Sequence, residues 1–158
     1  MKVTIAFRHK PTTFLTKAIS WWTAPFIWKF NGQWRDVANH VEIIFGMVRY
    51  STGALSDVWS KSSKPLDGEW RMYHVVVSVD EYKKMLQQAE EFLGTPYDWA
   101  NIFLSDILKR NQGAGDRLTC DEGVGRCLKW SKKFNGLHEL NNLNPHKLEI
   151  FITELVCR

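Results

Sequence analysis

Apolar and polar residues alternate along four stretches of the chain, and this period of two predicts β-strands. The first stretch covers residues 3–7, where Val, Ile and Phe alternate with Thr and Ala. Residues 40–50 (HVEIIFGMVRY) predict a second strand with a bulge at Gly46. Residues 72–79 (MYHVVVSV) predict a third strand, and the alternation over residues 148–156 predicts a last one.

Helical spacing of apolar residues predicts four helices between these strands, over residues 11–20, 79–93, 98–110 and 120–133. Ser78 with Glu81 and Thr119 with Glu122 have the spacing of capping boxes, which open helices. Gly94 is a typical helix stop. A few strands combined with three or four helices predict an α+β fold.

The chain has 158 residues, which is the size of one domain, so residues 1–158 are interpreted as a single domain. A Trp-rich loop is predicted at residues 21–39, with four of the eight tryptophans at Trp21, Trp22, Trp28 and Trp34. Residues 1–79 also carry ten Lys and Arg against five Asp and Glu. Together these features indicate a pocket wall, or a surface for an anionic or membrane-associated partner.

Several classes of protein do not fit the composition. The chain has no apolar run of the ~18–20 residues that a transmembrane helix requires. Arg8, His9 and Lys10 interrupt any signal peptide, which predicts a cytoplasmic protein or one delivered by a phage or non-classical route. Three cysteines do not make a disulfide framework or a zinc site, so neither metal nor cofactor is expected. No nucleic-acid-binding motif is present, and a monomer is expected.

Candidate chemistry centres on Cys120, which opens a predicted helix. The positive end of a helix dipole favours a thiolate there. His40 and Glu42 lie two positions apart on a predicted strand and therefore project from the same face, so Glu42 is able to orient the imidazole. A buried apolar cysteine and a solvated His–Glu pair explain the same residues, and the residues alone leave both interpretations open.

Three short motifs resemble the NlpC-type papain-like cysteine hydrolases. Residues 89–99 (AEEFLGTPYDW) are similar to the stretch that precedes the catalytic cysteine, and residues 119–122 (TCDE) are similar to the Cys-Ser-Glu of one branch. Residues 40–46 (HVEIIFG) resemble the family's histidine strand. That strand comes 80 positions before the cysteine, an order that resembles the circularly permuted, YiiX-like branch. Residues 144–148 (NPHKL) are similar to the segment leading into that branch's last strand.

The resemblance implies a papain-like α+β domain with a small antiparallel sheet packed on helices. It implies a cysteine amidase or peptidase that forms a thioester acyl-enzyme, with Cys120 as nucleophile, His40 as base and Glu42 as orienting group. Tyr97 carries over as a residue that lines the site. Trp34 and Trp22 are then interpreted as walls of the substrate groove.

Alternatives remain for the third catalytic group, the base and the function. The unpermuted family takes the third group from the following strand, near Ser51 or Thr52, although Glu42 is favoured as a carboxylate. His138 and His146 are poorer candidates for the base. The expected substrate is a peptide, a peptidoglycan stem peptide or an acylated molecule. The alternative function is a non-catalytic binding module, such as a phage or host-modulating protein, that holds an anionic or membrane-associated partner.

Overall fold

The computed structural model describes residues 1–9, 38–52, 58–98, 116–139 and 143–156. In this part of the chain, five strands form one antiparallel sheet in the order β4-β3-β2-β1-β5. The strands are β1 (Lys2–Arg8), β2 (His40–Phe45), β3 (Val48–Thr52), β4 (Trp59–Ser62) and β5 (Trp70–Val76).

The helices that accompany the sheet are α1 (Val79–Glu91), α2 (Cys120–Leu128), a 3-10 helix (Lys132–Glu139) and α3 (Pro145–Val156). The predicted α+β class is therefore confirmed. Buried side chains of all three α-helices join those of the sheet in one apolar core. None of the helices in the described ranges is long and apolar enough to cross a membrane.

Alternation along β2 separates an inner face of the sheet from an outer face. Val41, Ile43 and Phe45 belong to the buried core beneath the helices. His40 and Glu42 fall on the opposite, outer face, because successive side chains of a strand point to opposite sides. The first residues of β2 thus hold the candidate imidazole and carboxylate away from the apolar core.

Helix α1 begins and ends as its sequence predicts. The Ser78 side chain accepts a hydrogen bond from the Glu81 backbone N–H, and the Glu81 carboxylate accepts one from the Ser78 N–H. Gly94, with φ of 83°, adopts the left-handed conformation just after the helix. Met85 and Ala89, one turn apart, are the buried residues by which α1 packs on the core.

Helix α2, which begins at Cys120, lies close against the sheet because Gly123 has no side chain. A Cβ atom at Gly123 would lie 2.2 Å from Cζ3 of Trp59, far inside van der Waals contact. Trp59 is fully buried, and its indole N–H donates to the Ala89 carbonyl at 2.9 Å. One tryptophan thus fixes α2, α1 and β4 relative to one another.

Three strand predictions need correction. Gly46 is not a bulge: with φ of 62° it forms the tight turn that joins β2 to β3. Strand β4 (Trp59–Ser62) corresponds to none of the predicted strands. Residues 148–156 belong to helix α3 and not to a strand, because Pro145 opens a helix and the Asn144 side chain accepts from the Lys147 N–H at 2.8 Å.

The cysteine helix also differs from its prediction. It ends at Leu128 and is followed by the separate 3-10 helix, whereas one helix was expected to continue to residue 133. At its start only half of the predicted capping box forms. Thr119 accepts from the Glu122 N–H, but the Glu122 carboxylate pairs with Arg126 at 2.6 Å. The predicted helices at 11–20 and 98–110 and the Trp-rich loop lie almost wholly outside the described residues.

Candidate functional site

The imidazole of His40 lies in a group of polar side chains on the outer face of the sheet. Its Nε2 atom is 3.4 Å from Glu42 Oε1 and also 3.4 Å from Ser51 Oγ. The Ser51 hydroxyl donates to the Val41 carbonyl at 2.8 Å, which leaves its lone pairs available to His40 Nε2 in the tautomer that carries a proton there. Glu42 and Ser51, both candidates for the third group, thus contact the same ring nitrogen.

Two further side chains, which the sequence analysis did not single out, hold this group in place. Arg49 Nε lies 3.6 Å from the second, buried oxygen of Glu42. Trp70 packs edge-on against the His40 ring, with 5.9 Å between ring centroids, and donates from its indole N–H to the Asp67 carbonyl. The guanidinium carbon of Arg8 lies over the Trp70 ring, 5.5 Å from the ring centroid. Arg49 and Trp70 reach the group around His40 through the pairing of neighbouring strands, which the sequence does not reveal.

The thiol of Cys120 lies at the N-terminus of α2 and is nearly inaccessible, with 4% of the residue exposed. Backbone N–H groups of Val41, Asp121 and Cys120 itself point toward the sulfur. The thiol also donates to the carboxylate of Asp121, with 3.9 Å between Sγ and Oδ1. The nucleophile candidate is therefore enclosed by peptide N–H donors and one carboxylate.

Electrostatics at the sulfur oppose the thiolate that the helix position predicts. Burial raises the pKa of the Cys120 thiol well above its ordinary value, and the negative charge of Asp121 raises it further. The N–H groups of Val41 and the helix start lower the pKa, but by less. Burial and the charge of Asp121 therefore outweigh these N–H donors, so the surroundings of the sulfur disfavour the thiolate that the helix position predicts.

The backbone of Val41 lies between the candidate base and the candidate nucleophile. The pairing of β2 with β3 extends only to Ile43 and Tyr50. Val41 lies beyond the paired residues, so its N–H and carbonyl contact side chains and not the backbone of β3. Its carbonyl accepts from Ser51, and its N–H points toward the Cys120 sulfur. The thiol therefore lies against the peptide unit that joins His40 to Val41, although no hydrogen bond links the Cys120 and His40 side chains within the described ranges.

Tyr97, the residue that the resemblance assigns to the lining of the site, lies near Cys120. Its pKa is raised, first by burial and then by the nearby Cys120, Asp121 and Asp98. An isolated parallel bridge between Tyr97 and Leu118 ties this tyrosine to the segment that enters α2. Tyr97 is thus a buried neighbour of the nucleophile candidate and has little exposed surface of its own.

The remaining residues that the sequence proposed for the site lie in different parts of the molecule. Thr52 is buried, with its hydroxyl on the inner side of β3 among the core residues, whereas Ser51 faces His40. His146 lies in the first turn of α3, and His138 falls in the 3-10 helix. Trp22 and Trp34 lie outside the described residues, so their role as groove walls stays a prediction.

A second polar cluster, absent from the sequence analysis, surrounds the buried carboxylate of Glu149 on α3. His9 Nε2 lies 2.8 Å from Glu149 Oε2, and Arg71 Nη1 and the Tyr73 hydroxyl each lie 3.2 Å from Oε1. Thr153, one turn later, donates to Tyr73. The cluster was not predicted, because residues 148–156 were assigned to a strand, in which Glu149 and Thr153 are not successive turns of a helix. Its bonds join α3 to β1 and β5.

Metal-binding chemistry has no evident site here: across the described ranges, no group of three or more His, Cys, Asp or Glu side chains is arranged to hold a metal ion. No protein-family model, curated protein or solved structure matches the chain. What the site does must therefore be inferred from its own residues and their geometry.

Proposed function

We propose that the protein is a cysteine hydrolase with a papain-like fold, which cleaves an amide or related acyl bond through Cys120, His40 and Glu42. One observation carries the proposal. The thiol lies against the peptide unit that follows His40, while the Nε2 atom of that histidine is engaged by Glu42 and Ser51. A nucleophile, a base and an orienting group at one end of one strand are the parts of a catalytic triad.

The proposed acylation begins with a neutral thiol. Cys120 belongs to the core on the inner side of β2 and His40 to its outer side, so the proposed step requires the thiol to turn past the peptide unit between His40 and Val41. Because Nε2 of His40 contacts Glu42, Nδ1 is then the nitrogen that takes the proton. The sulfur then attacks the substrate carbonyl, and a tetrahedral intermediate forms. Backbone N–H groups of Cys120 and Val41, which already converge on the sulfur, are suitable donors to the oxyanion.

Collapse of the intermediate completes the proposed half-reaction. The C–N or C–O bond breaks, and the leaving group takes the proton from the His40 imidazolium. A thioester on Cys120 remains, and His40 then activates water to hydrolyse it, which regenerates the thiol. Glu42 stabilises the imidazolium between these steps, with Arg49 holding the carboxylate from its other oxygen.

Hydrolysis assays on a substrate panel test this function. The panel contains peptide amides, γ-glutamyl isopeptides and acyl esters, and the variants are Cys120→Ser and Cys127→Ser. Cys127 lies two turns along the same helix and is also buried, so it is a matched control. We expect Cys120→Ser to abolish hydrolysis and Cys127→Ser to retain it. Undiminished hydrolysis by Cys120→Ser, or no hydrolysis of any substrate by the wild type, would contradict the proposal.

The burial of Cys120 favours one second candidate, a non-catalytic binding module that retains the fold. A buried neutral cysteine is a good core residue, and this function requires no proton transfer to His40. The wild type would then hydrolyse nothing in the panel yet bind vesicles containing an anionic lipid. Cys120→Ser would bind those vesicles as tightly as the wild type.

A further inference from the structure

Asp121 stands out among the neighbours of the thiol because a carboxylate is an unfavourable group beside a cysteine nucleophile. It directly follows Cys120 in the first turn of α2, and only 6% of the residue is exposed. Its Oδ1 atom accepts from the thiol at 3.9 Å. An exposed acidic residue in a first helical turn is explained by the helix dipole alone, but a buried one in contact with the sulfur is not.

The other ionisable groups around the sulfur do not duplicate this contact. Tyr97, from the segment after α1, lies near Cys120, Asp121 and Asp98, and its raised pKa keeps it a neutral phenol. On β2, the Glu42 carboxylate faces the outer side of the sheet with His40. Asp121 is the carboxylate whose oxygen reaches the thiol within the described part of the chain.

We propose that Asp121 is a positioning residue that accepts a hydrogen bond from the Cys120 thiol and so keeps the nucleophile neutral at rest. This inference rests on the proposed function, since it assigns Asp121 a role at the same site. The carboxylate repels a thiolate at the sulfur and stabilises the S–H form. A neutral buried thiol reacts slowly with oxidants and alkylating agents, because the thiolate is the reactive form. His40 must then remove the proton when a substrate is bound.

Alkylation by iodoacetamide tests the proposal without any substrate. The rate at each cysteine is measured by peptide mass mapping between pH 6 and pH 10, in the wild type and in Asp121→Asn and Asp121→Ser. Loss of the negative charge is expected to lower the pKa of Cys120. At a fixed pH below that value, a shift of one unit raises the thiolate fraction, and hence the alkylation rate, about tenfold.

Cys127 is the internal control, because burial alone raises its pKa. It shares helix α2 with Cys120, so an opening of that helix accelerates both cysteines. Acceleration confined to Cys120, in at least one of the folded variants, is the expected result. An unchanged or slower rate at Cys120, or an equal acceleration at both cysteines, would overturn the proposal.

Activity gives a second readout that separates this inference from the proposed function. If the protein hydrolyses a substrate, the alkaline limb of its pH profile for kcat/KM, which reports loss of the thiol proton when the neutral thiol is the reacting form, should move to lower pH in Asp121→Asn. A structural role alone would lower the rate without moving that limb. Should no substrate be hydrolysed, the alkylation rates still decide the role of Asp121.

Discussion

Replacing Gly123 by Ala tests how closely helix α2 lies against the sheet. The added methyl group would lie 2.2, 2.7 and 2.9 Å from three ring carbons of Trp59. Normal carbon–carbon contacts are about 3.5–4.0 Å, so the indole or the helix must move by about 1 Å or more. Trp59 has little freedom to move, since it is buried and bonded to the Ala89 carbonyl.

The magnitude follows from two opposing effects. Overpacking a well-packed core costs about 1–3 kcal/mol, whereas alanine is favoured over glycine in a helix by about 1 kcal/mol. Gly125→Ala is a matched control in the same helix, because the nearest described atoms to its new Cβ are terminal methyl groups of Leu143 and Leu137, at 2.9 and 3.3 Å. The helix-propensity gain is common to both variants. We therefore expect Gly123→Ala to be less stable than Gly125→Ala by about 2 kcal/mol.

Urea denaturation and thermal melting measure this difference. For a chain of this size, 2 kcal/mol corresponds to a Tm difference of about 4–8 °C. A Trp59→Phe replacement in the Gly123→Ala background should recover part of the loss, because it removes the ring atoms that clash. Equal stability of the two alanine variants, or a more stable Gly123→Ala, would refute the argument that Trp59 sets the position of α2.

Two further predictions concern stability. Glu149→Gln should destabilise the protein by about 2–3 kcal/mol in urea denaturation, because His9 and the half-exposed Arg71 lose a buried, charged acceptor. Between pH about 4.5 and about 2, the Tm of the wild type should fall more steeply than that of Glu81→Gln, because the capping contacts with Ser78 and the Lys132 N–H lower the pKa of Glu81 to about 2. A carboxyl group with a lowered pKa stabilises the fold above its ordinary value and loses that effect as the pH falls through the lowered one.

Each of these predictions has a control that isolates its cause. Glu154→Gln changes another glutamate on α3, one that is largely exposed, and should leave stability within about 0.5 kcal/mol. Glu91→Gln is the control for Glu81→Gln, because Glu91 lies at the opposite end of α1 from the Ser78–Glu81 cap. Equal destabilisation by Glu149→Gln and Glu154→Gln, or parallel acid profiles for Glu81→Gln and the wild type, would contradict the respective prediction.

Local signals in the sequence were sufficient for some elements and not for others. Strand β1 and helix α1 follow from a clean alternation and from the Ser78–Glu81 pair, because both patterns are set by neighbours in the chain. Residues 148–156 were misassigned because Leu148, Ile150 and Ile152 alternate as in a strand, although Leu148, Phe151 and Ile152 also fit one helix face. The Asn144–Pro145 pair was the signal that distinguishes the two. Strand β4 has one buried residue, Trp59, which is too little for a pattern.

The candidate site divides in the same way. The contact between His40 and Glu42 follows from a spacing of two on one strand, so the sequence predicts it directly. Ser51, Arg49 and Trp70 reach the same group only through strand pairing, which depends on residues far apart in the chain. Burial is the first cause of the raised pKa of Cys120, and the sequence, which suggests only the opposing effect of the helix dipole, does not reveal it.

Trapping an acyl-enzyme tests the central claim most directly. Intact-protein mass spectrometry, after incubation with activated acyl esters and peptide thioesters, would detect the added acyl group, and peptide mapping would locate it. The account predicts an acyl group on Cys120 that is released by hydroxylamine. It also predicts acylation slowed about 10²-fold or more in a folded His40→Gln variant. Acylation of Cys120 at the same rate in the wild type and His40→Gln, or no acylation of Cys120 by any ester or thioester, would contradict it.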